Sequence, residues 1–229
     1  DHCLVGEPTS REALGDTIKI GRRGSLTAKI SALGVQGHVA YPEKALNPLP
    51  PLINLLKRLQ RKSLDKGSKF FDPSSLVITS IDTRNESNNV IPQKGEASIN
   101  IRFNDLHSDL SLTRWLKKNA QVIMNETKVF LDLDIHISAK PFICKPGDFV
   151  DIVSREIKSQ TKSSPVLSTS GGTSDARFIH KYCPVVEFGL VGKTMHKSDE
   201  NVETQQIKDL AEIYQNILKS YFSRPSVKN

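Results

Sequence analysis

The sequence has few cysteines and no long apolar run, and both shortages limit what the protein can be. Only Cys3, Cys144 and Cys183 are present among 229 residues, and they lie far apart. An odd number of separated cysteines argues against a disulfide framework and against a cysteine-based metal knuckle, and it indicates a reducing compartment. No apolar run reaches membrane-spanning length, and the first residues lack a signal-peptide pattern. We therefore expect a cytoplasmic protein with no membrane partner.

Long runs of like charge are also missing. The net charge is +7, but no block of five or six like charges occurs, so a nucleic-acid-binding tail is not indicated. A diffuse positive surplus suits a small anionic substrate equally well. The sequence contains no P-loop, no dinucleotide fingerprint and no nucleophile elbow. The hydrophobic content of 37% and the charged content of 25% are ordinary for a globular protein.

The middle of the chain is predicted to form a βαββαβ module. Alternating apolar residues predict four strands, and apolar residues spaced by three and four predict two helices, in the order strand 26–32, helix 49–59, strands 76–81 and 97–103, helix 112–123 and strand 129–137. This order is the ferredoxin-like split unit, an antiparallel sheet with both helices on one face. Residues 37–42 and 85–89 are expected to be loops.

The flanking segments 1–22 and 140–229 are predicted to be two parts of one α/β domain, interrupted by the module at 23–139. Strands are expected at 3–5, 165–168 and 185–188, and helices near 150–157, 173–181 and 207–221. The loop Ser168-Thr-Ser-Gly-Gly-Thr-Ser-Asp-Ala-Arg177 joins a strand to a helix. Such a junction can bind an anion through unpartnered amides at the helix start. It can equally be a turn followed by an N-cap.

Several side chains are candidates for chemistry. Glu7 and His196 each follow a predicted strand and are possible metal ligands, two fewer than a closed site needs. Arg22 and Arg102 have the fork geometry that binds carboxylates. His38, in a loop, has the chemistry to donate to a developing oxyanion. Each of these residues, taken alone, also has an ordinary structural explanation, and the adjacent Asn88 and Asn89 suit a plain turn.

RNA recognition motifs share the βαββαβ topology, so RNA binding is a possible function of the module. Such motifs stack bases on aromatic residues of the third strand. Here the exposed face of that strand is polar, since it carries Glu96, Ser98, Asn100 and Arg102, and Phe103 lies on the other face. We therefore expect no nucleic-acid partner.

Seven motifs, in order along nearly the whole chain, identify a family resemblance. They are Val-Gly-Glu-Pro-Thr9, Gly-Arg-Arg-Gly-Ser-Leu-Thr27, Gln-Gly-His-Val-Ala-Tyr-Pro42 with Asn47-Pro48, Asn-Asn-Val-Ile-Pro92, Asn-Ile-Arg-Phe103, the glycine loop with Phe178-Ile179, and Met-His-Lys-Ser-Asp-Glu200. The chain thus resembles the succinyl-diaminopimelate desuccinylases, dizinc amidohydrolases of the exopeptidase superfamily. The resemblance implies an α/β zinc-exopeptidase-like domain with an inserted ferredoxin-like dimerisation (lid) domain.

The resemblance also implies a reaction and a role for each matching residue. The reaction is hydrolysis of N-succinyl-LL-2,6-diaminopimelate to succinate and LL-2,6-diaminopimelate by a homodimer that holds two zinc ions per site, with cobalt as a substitute. Glu7 and His196 match one ligand of each metal, and His38 matches a lid residue that polarises the scissile amide in the partner subunit. The positions that match substrate-binding residues are Arg22, Ser25, Tyr41, Asn88, Asn89, Arg102, Gly172, Thr173 and Arg177.

The chain departs from the family pattern in its metal ligands. The family's His-x-Asp pair, bridging Asp and Glu-Glu pair are not in this sequence, and Pro50 stands where relatives often have His. We therefore expect a C-terminal part of a larger enzyme, inactive and metal-poor by itself. Two alternatives stay open. One is a dimerising, substrate-binding unit without catalysis, and the other is a sister amidohydrolase that acts on another N-acyl amino acid.

Overall fold

The computed structural model describes residues 1–223, which form twelve strands, five α-helices and one short 3-10 helix at Pro42–Lys44. The helices are α1 (Leu49–Gln60), α2 (Asp109–Thr127), α3 (Asp148–Thr161), α4 (Ala176–Ile179) and α5 (Thr204–Phe222). The strands are β1 (Cys3–Val5), β2 (Thr17–Lys19), β3 (Gly21–Arg22), β4 (Gly24–Leu33), β5 (Gly37–His38), β6 (Ser75–Asp82), β7 (Val90–Ile91), β8 (Lys94–Phe103), β9 (Phe130–Ala139), β10 (Phe142–Ile143), β11 (Val166–Ser168) and β12 (Val185–Glu187).

The chain divides into two compact units. The first contains Asp1–Arg22 and the chain from Phe142 onward, and the second is Arg23–Pro141. The sequence analysis placed these boundaries at 22 and 140. No helix within residues 1–223 is long and apolar enough to cross a membrane.

The second unit has the predicted βαββαβ order, which is confirmed. Its sheet is antiparallel with the strand order β6-β8-β4-β9. Apolar residues of β4 and β8 point inward at every second position, because side chains alternate between the faces of a strand. They pack against Leu52, Leu55 and Leu112 of α1 and α2, which are at most 1% exposed. Ser108 caps α2 by a reciprocal capping box with Ser111.

The segment 37–42, predicted to be a loop, contains a short strand. Gly37 and His38 pair with Ile91 and Val90 in the antiparallel β5–β7 ladder. Two-residue strands carry too little periodicity to be recognised in a sequence. This ladder ties the histidine-bearing segment to the asparagine-rich turn that precedes β7.

The first unit is built on a mixed sheet with the order β1-β12-β2-β11. β1 is parallel to β12, and β11 is parallel to β2, whereas β12 meets β2 antiparallel. Helices α3 and α5 pack together, and Phe149, Val153, Ile213 and Ile217 are buried. The helix predicted near 173–181 is much shorter, since α4 contains only Ala176–Ile179. After Ile179 the chain continues as a turn that leads to β12 at Val185.

Candidate functional site

A buried ion pair lies at the end of β3. The Arg22 side chain donates Nε–H to both carboxylate oxygens of Glu187, at 3.1 and 2.9 Å, and a further short hydrogen bond runs from Nη2. Ser174 Oγ donates to the same carboxylate at 2.5 Å. Arg22 is 8% exposed and Glu187 is 1% exposed. Pairing is what makes such burial tolerable, because an isolated buried charge is very costly.

This pair changes the interpretation of Arg22. The sequence predicts that Arg22 binds a substrate carboxylate, but its Nε and Nη2 are bound to Glu187. The remaining nitrogen, Nη1, donates to the carbonyl of Gly172 at 3.2 Å. Arg22 therefore holds the glycine loop in place from inside the first unit. Glu187 was missed, although a single carboxylate in the apolar run Val185-Val-Glu-Phe188 is a recognisable signal.

The glycine loop is shaped by close contact with Arg22. Gly171 has a φ of +103°, and a Cβ there would meet Arg22 Nη1 at 2.7 Å, so only glycine suits this position. Gly172 and Thr173 are exposed, as the binding role predicted for them requires. The helix that follows has only four residues. An anion site at a helix start, one interpretation of the sequence, is not supported because so short a helix has little dipole.

Arg177 lies in α4, directly after this loop. Its Nε is buried without a hydrogen-bond partner, and its guanidinium stacks on the ring of Phe178 at 4.6 Å. The stacking fixes the plane of the guanidinium, and the buried Nε keeps an unused donor.

A second cation, not singled out from the sequence, lies near the loop. Lys19 is 6% exposed, and its ammonium donates to Ser168 Oγ at 3.0 Å and to Ser170 Oγ at 2.9 Å. Arg11 also donates to Ser170 Oγ, at 3.1 Å. Burial, followed by the repulsion of Arg22 and Arg11, lowers the pKa of Lys19 to about 8. The residue pattern of Thr17–Lys19 is typical of the end of a strand and does not indicate that Lys19 is buried against two serines.

The two proposed metal ligands are in the first unit but have different surroundings. Glu7 is half-buried at the end of β1, where burial and then the neighbouring Glu187 raise its pKa, against the effect of Arg22. His196 lies on an exposed turn with a φ of +62°.

A closed zinc site needs four ligands, more than Glu7 and His196 supply. Within residues 1–223, no three or more His, Cys, Asp or Glu side chains come together as a metal-holding group. Glu187, beside Glu7, is taken up by Arg22 and Ser174. The donor set of these residues does not by itself fit a zinc ion, so no chemical step below passes through a metal.

The predicted lid residues come together in the second unit. His38 Nδ1 accepts a hydrogen bond from the Ala40 N–H at 3.0 Å, which places the proton of the neutral ring on Nε2. The ring centres of His38 and Tyr41 are 5.9 Å apart. The Asn89 carbonyl accepts from the Val39 N–H at 3.1 Å, which ties the asparagine turn to the same segment. All four side chains are exposed, although Asn89 Oδ1 already accepts a hydrogen bond from Ser87 Oγ at 2.9 Å; the four are His38, Tyr41, Asn88 and Asn89.

Ser25 and Arg102 are also in the second unit, and the structure brings them together. They are directly opposite each other in the β4–β8 ladder. Ser25 is buried and Arg102 is half-buried.

Known proteins similar to this chain match it over nearly its whole length. Residues 20–128 match the family model described as "Peptidase dimerisation domain". The chain is 55% identical over 221 residues to "Succinyl-diaminopimelate desuccinylase 1" of Ruegeria sp. (strain TM1040), and 53% identical to "Succinyl-diaminopimelate desuccinylase" of Roseobacter denitrificans. Each alignment covers 96% of this chain and 58% of the relative, so the chain spans a little over half of the relatives' length.

Two solved structures share the fold at low sequence identity. Aminopeptidase PepT from Bacillus cereus ATCC 10987 superimposes with a TM-score of 0.80 at 16% identity, over 96% of this chain and 57% of that one. A tripeptidase from Staphylococcus aureus gives a TM-score of 0.79 at 15% identity, over 94% of this chain and 56% of that one. At this identity the likeness concerns the fold alone. It agrees with the fold class expected from the sequence.

Proposed function

We propose that this chain, a homologue of the succinyl-diaminopimelate desuccinylases, supplies the lid and part of the substrate pocket of a desuccinylase. The homology extends over the 58% of the relatives' length that the chain spans. The reaction is hydrolysis of N-succinyl-LL-2,6-diaminopimelate to succinate and LL-2,6-diaminopimelate, a step that serves lysine and peptidoglycan synthesis. The observation that carries the proposal is identity of 50–55% across 96–97% of the chain.

The charges of the candidate site support a substrate with several carboxylates. In the first unit, Arg177 has an unpartnered Nε, and Arg22 holds Gly172, which is exposed like its neighbour Thr173. In the second unit, Arg102 faces Ser25. Guanidinium groups and hydroxyls are the partners that bind carboxylates best. We therefore assign carboxylate binding to Arg177 and Thr173 in the first unit and, separately, to Arg102 and Ser25 in the second, and we give Arg22 a positioning role.

His38 is the residue that we assign to the scissile amide. Because Nδ1 is engaged with the Ala40 N–H, the neutral ring presents Nε2–H as a donor. A donor directed at the carbonyl oxygen stabilises the negative charge that develops as water attacks. The substrate would be oriented by three exposed residues on the two segments that the β5–β7 ladder joins, namely Tyr41, Asn88 and Asn89. In the dimer that we propose, this lid acts on the partner's substrate.

The metal-binding part of the proposal is limited to Glu7 and His196. Hydrolases of this kind use a metal, zinc or cobalt, to activate the attacking water. The chain by itself is expected to hold little metal and to release no succinate. If the chain is instead a non-catalytic binding unit, a longer protein that contains this chain and has the full length of the relatives will also release no succinate. A sister amidohydrolase would prefer a non-succinyl acyl group.

Replacing His38 with alanine tests the catalytic assignment. The experiment uses a longer protein that contains this chain, is supplied with zinc and hydrolyses the substrate. We expect the variant's kcat for succinate release to fall about 100-fold, because a hydrogen-bond donor to the oxyanion is lost, and its KM to change little. His136→Ala is the matched control, because His136 is an exposed histidine on β9 with no assigned role. Equal losses in both variants, or no loss in either, would contradict the assignment.

The dimer is proposed to form at one edge of the lid sheet. β6 and β9 are the edge strands. β9 exposes Asp132 and Asp134, charges that oppose pairing with another chain. β6 exposes Val77 and Ile81, which are 55% and 57% exposed, and next to it a groove of about 890 Å³ between α1, α2 and β6 includes Ile53, 55% exposed. The apolar edge is therefore the better dimer surface.

Placing charge on that edge should separate the subunits. We expect the double variant Ile53→Asp/Ile81→Asp to elute as a monomer in gel filtration while the unchanged chain elutes as a dimer, because two carboxylates would be buried in the interface. Phe130→Asp on β9 is the control, since Phe130 is also 57% exposed, and should stay dimeric. If Phe130→Asp alone produced monomers, the dimer would use the other edge.

A further inference from the structure

Three free cysteines, far apart in the sequence, converge around the start of β12. Cys3 is in β1, and its backbone N–H donates to the Pro184 carbonyl at 3.0 Å, directly beside Cys183. Cys144 follows β10, is 8% exposed, and has its sulfur next to the backbone N–H of Val185. All three thiols are unpaired. The start of β12 therefore has Cys3 on the adjacent β1, Cys144 near Val185, and Cys183 two residues before its first residue.

Cys183 is the thiol that the other two share. Burial raises the pKa of Cys3, and the charge of a Cys183 thiolate raises it further. Burial likewise raises the pKa of Cys144, with a smaller contribution from the same Cys183. Cys144 is buried and Cys3 is half-buried, and the raised pKa of each makes both thiols weaker nucleophiles at neutral pH than an ordinary cysteine. Cys183 is partly exposed and lies in a turn whose Tyr182 is 88% exposed, so small oxidants can reach it.

We propose that this cluster is a peroxide-sensitive modification site in which Cys183 is oxidised first and then forms a disulfide with Cys3 or Cys144. The Cys183 thiolate attacks hydrogen peroxide, so that an S–O bond forms, the O–O bond breaks, and the departing hydroxide is protonated to water. The second thiol gives up its proton and its sulfur attacks the Cys183 sulfenic acid; the S–O bond breaks and the second water leaves. Two thiols lose two electrons, and one peroxide becomes two waters.

A metal-binding function for the thiols is not supported by the structure. No group of three His, Cys, Asp or Glu side chains within residues 1–223 is arranged to hold a metal ion. Redox chemistry needs only one exposed thiol and one neighbour within reach after a small backbone movement. The consequence for the fold would be a covalent tie beside β12, the strand that carries Glu187.

Peroxide titration of the recombinant chain tests this inference. With stoichiometric hydrogen peroxide under native conditions, we expect the free thiols to fall from three to one per chain, and peptide mapping after alkylation should show an intramolecular disulfide that contains Cys183. Cys183→Ser should keep both remaining thiols. Cys3→Ser and Cys144→Ser each leave Cys183 one partner, so at least one of them must still form the bond.

Other outcomes would overturn the proposal. A Cys3–Cys144 disulfide, disulfides only between chains, or irreversible oxidation of Cys183 with no disulfide would each do so. Far-UV circular dichroism and the thermal midpoint of each serine variant, measured in the reduced state, establish that the variants are folded. This test does not depend on the proposed hydrolysis, because it measures thiols and not succinate.

Discussion

Replacing Glu187 with glutamine is expected to lower the free energy of unfolding of the first unit by about 3–5 kcal/mol, the usual cost of breaking a buried ion pair. The variant keeps the size of the side chain and removes the charge that faces Arg22. Glu187 is 1% exposed and Arg22 is 8% exposed, so water cannot take the place of the carboxylate. Urea denaturation followed by far-UV circular dichroism measures the loss.

An exposed ion pair in the same unit provides the control. Lys193 Nζ and Glu12 are 2.8 Å apart with side chains 57% and 82% exposed, so Glu12→Gln should cost less than about 1 kcal/mol. The double variant Arg22→Met/Glu187→Met should regain most of the stability, since no unpaired charge remains. If Glu187→Gln were as mild as Glu12→Gln, the pair would not be the support that we describe. A loosened Arg22 should also release Gly172 and weaken substrate binding.

The βαββαβ unit was predictable because its strands and helices are long. β4 and β8 each have ten residues with apolar side chains at alternate positions, so periodicity fixes both their extent and their inward face. The four-residue α4 and the two-residue β5 have no such periodicity. Their lengths are set by where the chain must go next, which is a tertiary constraint.

The candidate site was likewise predictable only in part. The motifs identified Arg22, His38 and the glycine loop, but no sequence pattern indicated that Glu187 would neutralise Arg22 across 165 positions. The environment of Lys19 was equally invisible, because its burial and its two serine partners come from the β2–β11 pairing. Local sequence shows which side chains can do chemistry. Only long-range strand pairing shows which of them are already bound to one another.

Asp65 in the second unit should show a large effect of a different kind, one that depends on pH. Its carboxylate accepts hydrogen bonds from the Gly67 N–H and from Asn104 Nδ2, both at 2.7 Å, and it lies 3.1 Å from His107 Nε2. Burial opposes the charge, but hydrogen bonds from Ser74, Gly67 and Asn104 outweigh it and lower the pKa to about 2. The ionised form therefore fastens the loop before β6 to the turn after β8.

The sign of the pH dependence follows from that pKa. The pKa of this carboxyl drops on folding from 3.8 to about 2. Such a group stabilises the fold fully when the pH is above its pKa in the unfolded chain. This stabilisation, about 2 kcal/mol, is lost as the pH falls through the folded value, because the unfolded chain binds the proton more readily. Asp65→Asn should cost about 3 kcal/mol near neutral pH, where a charged acceptor of several hydrogen bonds is lost.

Urea denaturation between pH 7 and pH 2 checks both parts of this prediction. The gap in stability between the unchanged chain and Asp65→Asn should be widest above about pH 4 and should narrow towards pH 2, since the protonated aspartate loses the same charge. Asp72→Asn, in the same loop but exposed, is the matched control and should follow the unchanged chain at every pH. A gap that stayed constant down to pH 2 would mean that the role of Asp65 is packing, and that the ionised carboxylate does not hold the two loops together.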